Sequence, residues 1–155
     1  MTAQQKITLS IASPSDKPFW DAYVLQHDEA SAYHQFAWLE AVKEAYGHTM
    51  IGVLARCTDS GQVVGVFPAV LMKIPMLGKR ICSLPYCDVG YGLADNDKVL
   101  SEMREFLAAQ MRNVTGKKLE IRGIEQSPLD KTQFENKKVR MLLPLPESSE
   151  ILLSS

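Results

Sequence analysis

No stretch of this chain approaches the roughly twenty consecutive apolar residues that a membrane-spanning helix needs. Its start, MTAQQKITLS, lacks the positive segment and apolar core of a secretory leader. A cytoplasmic protein without a membrane span is therefore the expectation. An excess of charge of one sign is also missing. Seventeen basic side chains face eighteen acidic ones, so no broad electrostatic footprint for nucleic acid is present. Lys117, Lys118, Arg122, Lys137, Lys138 and Arg140 could still form a local basic patch, although a solvated face is the ordinary reading of such residues. Cysteine is scarce. Cys57, Cys82 and Cys87 are odd in number and have no CxxC spacing, while a structural zinc needs four ligands. Reduced thiols in a reducing compartment are the simplest expectation. His27, His34 and His48 lie too far apart in kind and place to suggest a metal set. The phosphate-cradling Walker and dinucleotide fingerprints are absent too. No cofactor is expected.

What remains is an ordinary globular chain of 155 residues, 46% apolar and 23% charged, enough for one compact domain with a sizeable core. ITLSI alternates apolar and polar residues and reads as a short strand. In SPSDKPFWDAYVLQH, Ser15 or Asp16 is a candidate cap and Pro18 suits a first turn. Phe19, Trp20, Tyr23 and Val24 make one apolar helix face. QFAWLEAVKEAYGH repeats the pattern: Phe36, Leu39, Val42 and Tyr46 share a helical period, and Gly47 is a natural stop.

The period then shortens. TMIGVLARC and QVVGVFPAVLMKI are rich in β-branched residues and flank the turn signal TDSG, which predicts an antiparallel hairpin. PMLGKR is a second turn, into a strand at RICSLP. DKVLSEMREFLAAQMRNVTG carries Val99, Met103, Phe106, Leu107 and Met111 on one helical face, ended by Gly116. KKLEIRGI and KVRMLLPL read as further strands around the polar loop EQSPLDKTQFENK. Helices mixed with a mostly antiparallel run of strands predict an α+β fold, a sheet flanked by helices. The expected domain covers 1–145. At 146–155, LPESSEILLSS reads as the start of a helix or a linker. A docked tail is one explanation, and the front of a longer chain is the other.

Several stretches, taken in order, resemble the FemAB-like proteins. They are AYHQFAWLEAVKEAYGH, GQVVGVFPAVLMK, GKRICSLPYCDVGYG and KKLEIRG. The likeness is to the branch associated with exosortase, found near exopolysaccharide and protein-sorting loci. That branch has a tryptophan-bearing helix before a YGH turn, then a VGVLPL-like strand and an SLPYxDYGG-like segment. The match spans about Trp20 to Leu153. It departs at Val89-Gly90-Tyr91-Gly92, where the branch reads Tyr-Gly-Gly, and members of the family carry a second half of similar size. The resemblance implies a GNAT-like acyltransferase fold, of which whole members have two copies. It implies transfer of amino acids from aminoacyl-tRNA, or of another acyl group, onto cell-envelope precursors. GNAT acetyltransferases hold coenzyme A on a Q/RxxGxG/A turn at a helix N-terminus, and this chain has no such turn. The expectation is thus the acceptor-side, N-terminal half of such a transferase, inactive alone. Its acceptor would be a peptidoglycan or saccharide precursor, and the donor would require the second half. The alternative expectation is a non-catalytic binding or assembly module that homodimerises.

The stretch ICSLPYCDVGYGLADND is the richest in polar and special residues. Cys87 beside Asp88 raises a thiol nucleophile, but no neighbouring base activates it, and a small buried thiol is the default. Asp88 follows an apolar strand and Pro85 and precedes two glycines, which suits a strand-end loop. The resemblance makes Tyr86, Asp88 and Tyr91 candidate acceptor-binding residues. The competing reading is a turn aspartate bonded to its own backbone, with tyrosines packed on a sheet edge. Lys43, five positions after Trp38, corresponds by resemblance to a substrate-contacting lysine, though solvent exposure is the plainer reading. Arg122 in LEIRG could hold a carboxylate or phosphate from a strand end. His34, at the head of the second helix, is an outside candidate for the acceptor cleft. His48 reads as a turn residue.

Overall fold

The protein, seen in a computed structural model, is described for residues 6–76, 78–87, 90–110 and 119–121. The chain divides into two compact units, Met1–Gly123 and Ile124–Ser155. All described residues belong to the first. The expected strand at KVRMLLPL, the polar loop before it and the 146–155 segment lie outside the described residues.

Strand β1 (Ile7–Ile11) matches the alternating ITLSI run. A 3-10 turn over Pro14–Asp16 then leads into helix α1 (Lys17–Gln26), with Pro18 in its first turn. Asp16 is the residue capping α1, but its carboxylate turns back. It accepts the Ser13 backbone N–H at 2.9 Å and the Ser13 hydroxyl at 2.7 Å. Trp20 and Val24 are buried, whereas Phe19 is exposed, its ring covered at 4.8 Å by the Arg56 guanidinium. Helix α2 (Phe36–Tyr46) buries Phe36, Leu39 and Val42. Gly47 closes it in the left-handed region, φ 67°, with its N–H on the Lys43 carbonyl. Tyr46, expected on the core face, instead lies 55% exposed, because the helix unwinds immediately after it.

The two arms of the expected hairpin are each broken. The first becomes β2 (Thr49–Met50) and β3 (Val53–Cys57), the second β4 (Val63–Phe67) and β5 (Val70–Ile74). Strand β6 (Gly78–Cys82) follows, then β7 (Leu93–Ala94), α3 (Asp97–Gln110) and β8 (Leu119–Glu120). The strands form two four-stranded sheets, ordered β1-β3-β4-β7 and β2-β5-β6-β8, where a single sheet had been expected. The break has local causes. Pro68 has no N–H to give to a ladder. At Gly52, an added Cβ would sit 3.1 Å from both Leu39 and Trp20, so the chain is pressed against the helices there. The arms still touch across the break, where the Ile51 N–H meets the Ala69 carbonyl at 3.0 Å.

All pairings are antiparallel except β6 with β8, which the chain reaches after crossing over through α3. Alternation along the strands feeds two cores. Leu54, Val66, Val70, Met72 and Cys82 pack with Trp20, Phe36 and Leu39 of α1 and α2. Val53, Ala55, Phe67, Ala69 and Ile81 pack with Val99, Met103 and Leu107 of α3. Helices therefore cover both faces, and the α+β class read from the sequence holds. Among the described residues no helix is long and apolar enough to cross a membrane.

Candidate functional site

The stretch after β6 is anchored by burial. Cys82, Ser83, Leu84 and Pro85 are all buried, and the chain then turns sharply at Tyr86. Tyr86 sits at φ 68°, a left-handed conformation that side chains with a Cβ seldom adopt. Cys87 returns to the core, 4% exposed, so the nucleophile reading of that thiol loses its access. The turn throws the Tyr86 ring outward, 53% exposed. It stacks on Tyr46 with centroids 4.2 Å apart and planes at 25°. Its hydroxyl shares a hydrogen bond of 3.2 Å with Nε2 of His48, itself nearly buried. His48 also lies parallel to both tyrosine rings, 5.9 and 6.2 Å away. Three elements thus build one aromatic ledge: the end of α2, the lead into β2, and the turn after β6.

Of the sequence candidates, Tyr86 is on this ledge and exposed. Tyr91 and His34 are brought together elsewhere, and they form a lock. Nδ1 of His34 accepts the Ser31 backbone N–H at 3.0 Å and bonds the Ser31 hydroxyl at 2.9 Å. A backbone N–H can only donate, so the proton of the neutral ring sits on Nε2, which donates to the Tyr91 carbonyl at 3.1 Å. The Tyr91 ring meets the imidazole edge-on at 5.0 Å, and its hydroxyl donates to the Glu29 carbonyl at 2.8 Å. The His34 carbonyl in turn accepts the Trp20 indole N–H at 2.7 Å. With His34 fully buried, the set ties the α1–α2 link to the 90–92 backbone. Lys43 is exposed on α2, the plainer of its two readings. Asp88 and Arg122 lie outside the described residues.

Gly90 and Gly92, the two glycines after Asp88, leave little space beside their Cα atoms. The room is taken by the protein itself. A Cβ on Gly92 would stand 2.2 Å from the Phe67 ring, and one on Gly90 would stand 2.6 Å from Leu84 Cβ. Tyr46 and His48 are the ledge residues that sequence reasoning missed. The run AYGH contained the signal: an aromatic, a stop and a second ring within three positions. The partner that gives it meaning, Tyr86, is 38 residues away.

Among the described residues no cluster of three or more His, Cys, Asp or Glu side chains could hold a metal ion. No protein-family model matches the chain, and no curated protein matches it. The fold and ledge define an α+β domain with a preformed aromatic surface at a strand end.

Proposed function

We propose that this domain is the acceptor-side part of a FemAB-like aminoacyl- or acyltransferase of GNAT-like fold. Its ledge takes a saccharide-bearing peptidoglycan or exopolysaccharide precursor. The observation carrying this reading is the Tyr46–Tyr86 stack: two exposed rings held rigid, one of them in a strained backbone conformation. Strain of this kind costs on the order of 1–3 kcal/mol and concentrates at binding and catalytic positions. Flat aromatic faces hold sugar and base rings by contact with little loss of side-chain freedom. Helices on both faces of antiparallel strands are compatible with the GNAT-like architecture that the sequence resemblance implies.

In the transfer itself, the acceptor's amine nitrogen attacks the carbonyl of an activated acyl ester. The C–N bond forms as the ester C–O bond breaks, and the proton lost by the amine ends on the departing alcohol oxygen. The domain's share is to hold the acceptor in line, which supplies much of such a barrier by positioning. No step requires a protein nucleophile, in keeping with the burial of Cys87.

The test is calorimetric titration with a nucleotide-linked muramoyl peptide. Binding should weaken roughly tenfold in Tyr46→Ala and in Tyr86→Ala, the scale of one lost ring stack. Equal affinity in both variants and the parent chain, or no binding at all, overturns the ledge assignment. Turnover of aminoacyl-tRNA by this chain alone overturns the acceptor-side assignment.

A further inference from the structure

A concavity elsewhere on the domain shares no residue with the ledge. It is an open groove of about 590 Å³ between α1, the β3–β4 turn and the end of β7. Small-molecule sites span roughly 300–1,000 Å³. Its origin is local. Strand β4 carries a bulge: Ala55 pairs with Gly65 and Arg56 with Val63, leaving Val64 as the extra residue. Bulges re-aim neighbouring groups and recur beside binding sites. Here the Val64 carbonyl accepts the Asp95 backbone N–H at 3.0 Å and the Tyr23 hydroxyl at 3.3 Å. The same hydroxyl donates to Asp95 Oδ1 at 2.9 Å. Asp95 is thereby held by its backbone and by one carboxylate oxygen, with the side chain still exposed.

The charge balance of the lining decides what the groove can take. Arg56 is its strongly basic member and Asp95 its acidic one. Arg56 already has a counter-ion, Asp16 at 3.1 Å, and also donates to the Gly61 carbonyl and covers Phe19. Asp95 has no charged partner among the described residues. The uncompensated charge in the groove is therefore negative. His27 fixes its own ring by accepting the Glu29 N–H on Nδ1, and it lies 5.6 Å from Tyr23. The carboxamides of Gln26 and Gln62 are exposed in the same lining, each able to donate and accept. One fixed carboxylate is too few for a metal ion, and no metal-type cluster is present among the described residues. An ammonium group needs only one carboxylate and gains from adjacent aromatic rings.

We infer that this groove binds a small protonated primary amine whose body carries hydroxyl or amide groups. The ammonium sits on Asp95, oriented by the Tyr23 hydroxyl. The polar body reaches Gln26 and Gln62, and its apolar side lies along Ala22 and Val63. Tyr23 suits the orienting role because burial, and then its bond to Asp95, push its ionisation well above the ordinary range. It stays a donor throughout the physiological range.

The experiment is a heteronuclear NMR titration of the full chain near neutral pH with three probes. Glucosamine and cadaverine supply the ammonium from a sugar and from an aliphatic chain. N-acetylglucosamine is the neutral control. The amides of Tyr23, Gln26, His27, Gln62 and Asp95 should shift with glucosamine. Cadaverine, which supplies the ammonium without hydroxyl or amide groups, should bind more weakly; tighter binding of cadaverine would contradict the polar-body part of the inference. N-acetylglucosamine should bind roughly tenfold more weakly than glucosamine, and Asp95→Asn should weaken amine binding by a similar factor, the scale of one hydrogen bond to a charged group. The inference is overturned if neither amine shifts these amides, if the acetylated sugar binds as well as the free one, or if Asp95→Asn binds like the parent. The probe comparison on the parent chain decides the matter even should the variant fold poorly. Precursor binding at the ledge is read out separately, so either site can fail without the other.

Discussion

Single residues in this domain do work that their type alone does not announce. His34 is a fastener: its ring spans Ser31 on one side and the Tyr91 carbonyl on the other. His34→Ala leaves both backbone groups without that partner and opens a hole between them. A loss of about 2–4 kcal/mol is expected in urea unfolding, from unmet hydrogen bonds and the vacated volume. Retention of parental stability would show that water replaces the ring at little cost. Asp16 acts through charge. The Ser13 backbone N–H, then the Ser13 hydroxyl and Arg56, hold its carboxyl below its ordinary value of 3.8, against an opposing effect of burial. The folded state therefore prefers the ionised form. Its contribution is present above the unfolded pKa and is lost as pH falls through the lower folded one. Because the group is near the surface, the effect is under about 1 kcal/mol. Asp16→Asn should lower stability at neutral pH and flatten the decline in the most acidic range. An acid limb identical to the parent's would contradict the assignment.

At the scale of elements, helices and strands are made by pattern and joined by exceptions to pattern. Helix α3 shows the first case. Val99, Met103 and Leu107 recur at helical spacing and are all buried against the second face of the strands. Leu107→Ala should cost about 2–5 kcal/mol, as expected for a large side chain removed from a closed core. Thermal and chemical unfolding would measure it, and a loss below about 1 kcal/mol would mean that the α3 face repacks easily. The break between the two sheets shows the second case. Gly52 and Pro68 sit opposite each other in the two long arms, and neither can behave as an ordinary ladder residue. The arms looked continuous because β-branched residues flank both breaks. The bulge at Val64 is of the same kind: an extra residue inside an apolar run is invisible until the register is known. Strand β7, two residues long and next to loop composition, had no pattern to reveal it.

In the molecule as a whole, sequence and tertiary structure each settled different things. Local chemistry was enough for β1, α1 and α2, for the Gly47 stop, for the TDSG turn and for the amphipathic face of α3. In each, the deciding interaction lies within a few residues, where period and capping act. The α+β class followed from the same order of elements. Among the candidate residues, the exposure of Lys43 was legible from its place on α2, whereas the pairing of His34 with Tyr91 was not. Their mutual bond spans 57 residues, beyond the reach of local pattern. Only the run AYGH hinted at the aromatic ledge, and no local pattern marked the amine groove. Tyr46 meets Tyr86 only because β2 and β6 flank β5 in one sheet, and Tyr23 meets Asp95 only because α1 lies over the bulged β4 beside β7. Such contacts depend on which distant segments pack together, a choice made by burial of the whole core. The sequence by itself determined the elements and their apolar faces, through short-range sterics and hydrogen bonding. Only the tertiary structure decided the division into two sheets and the two surfaces that can hold a ligand, because those arise from pairing across long stretches of chain.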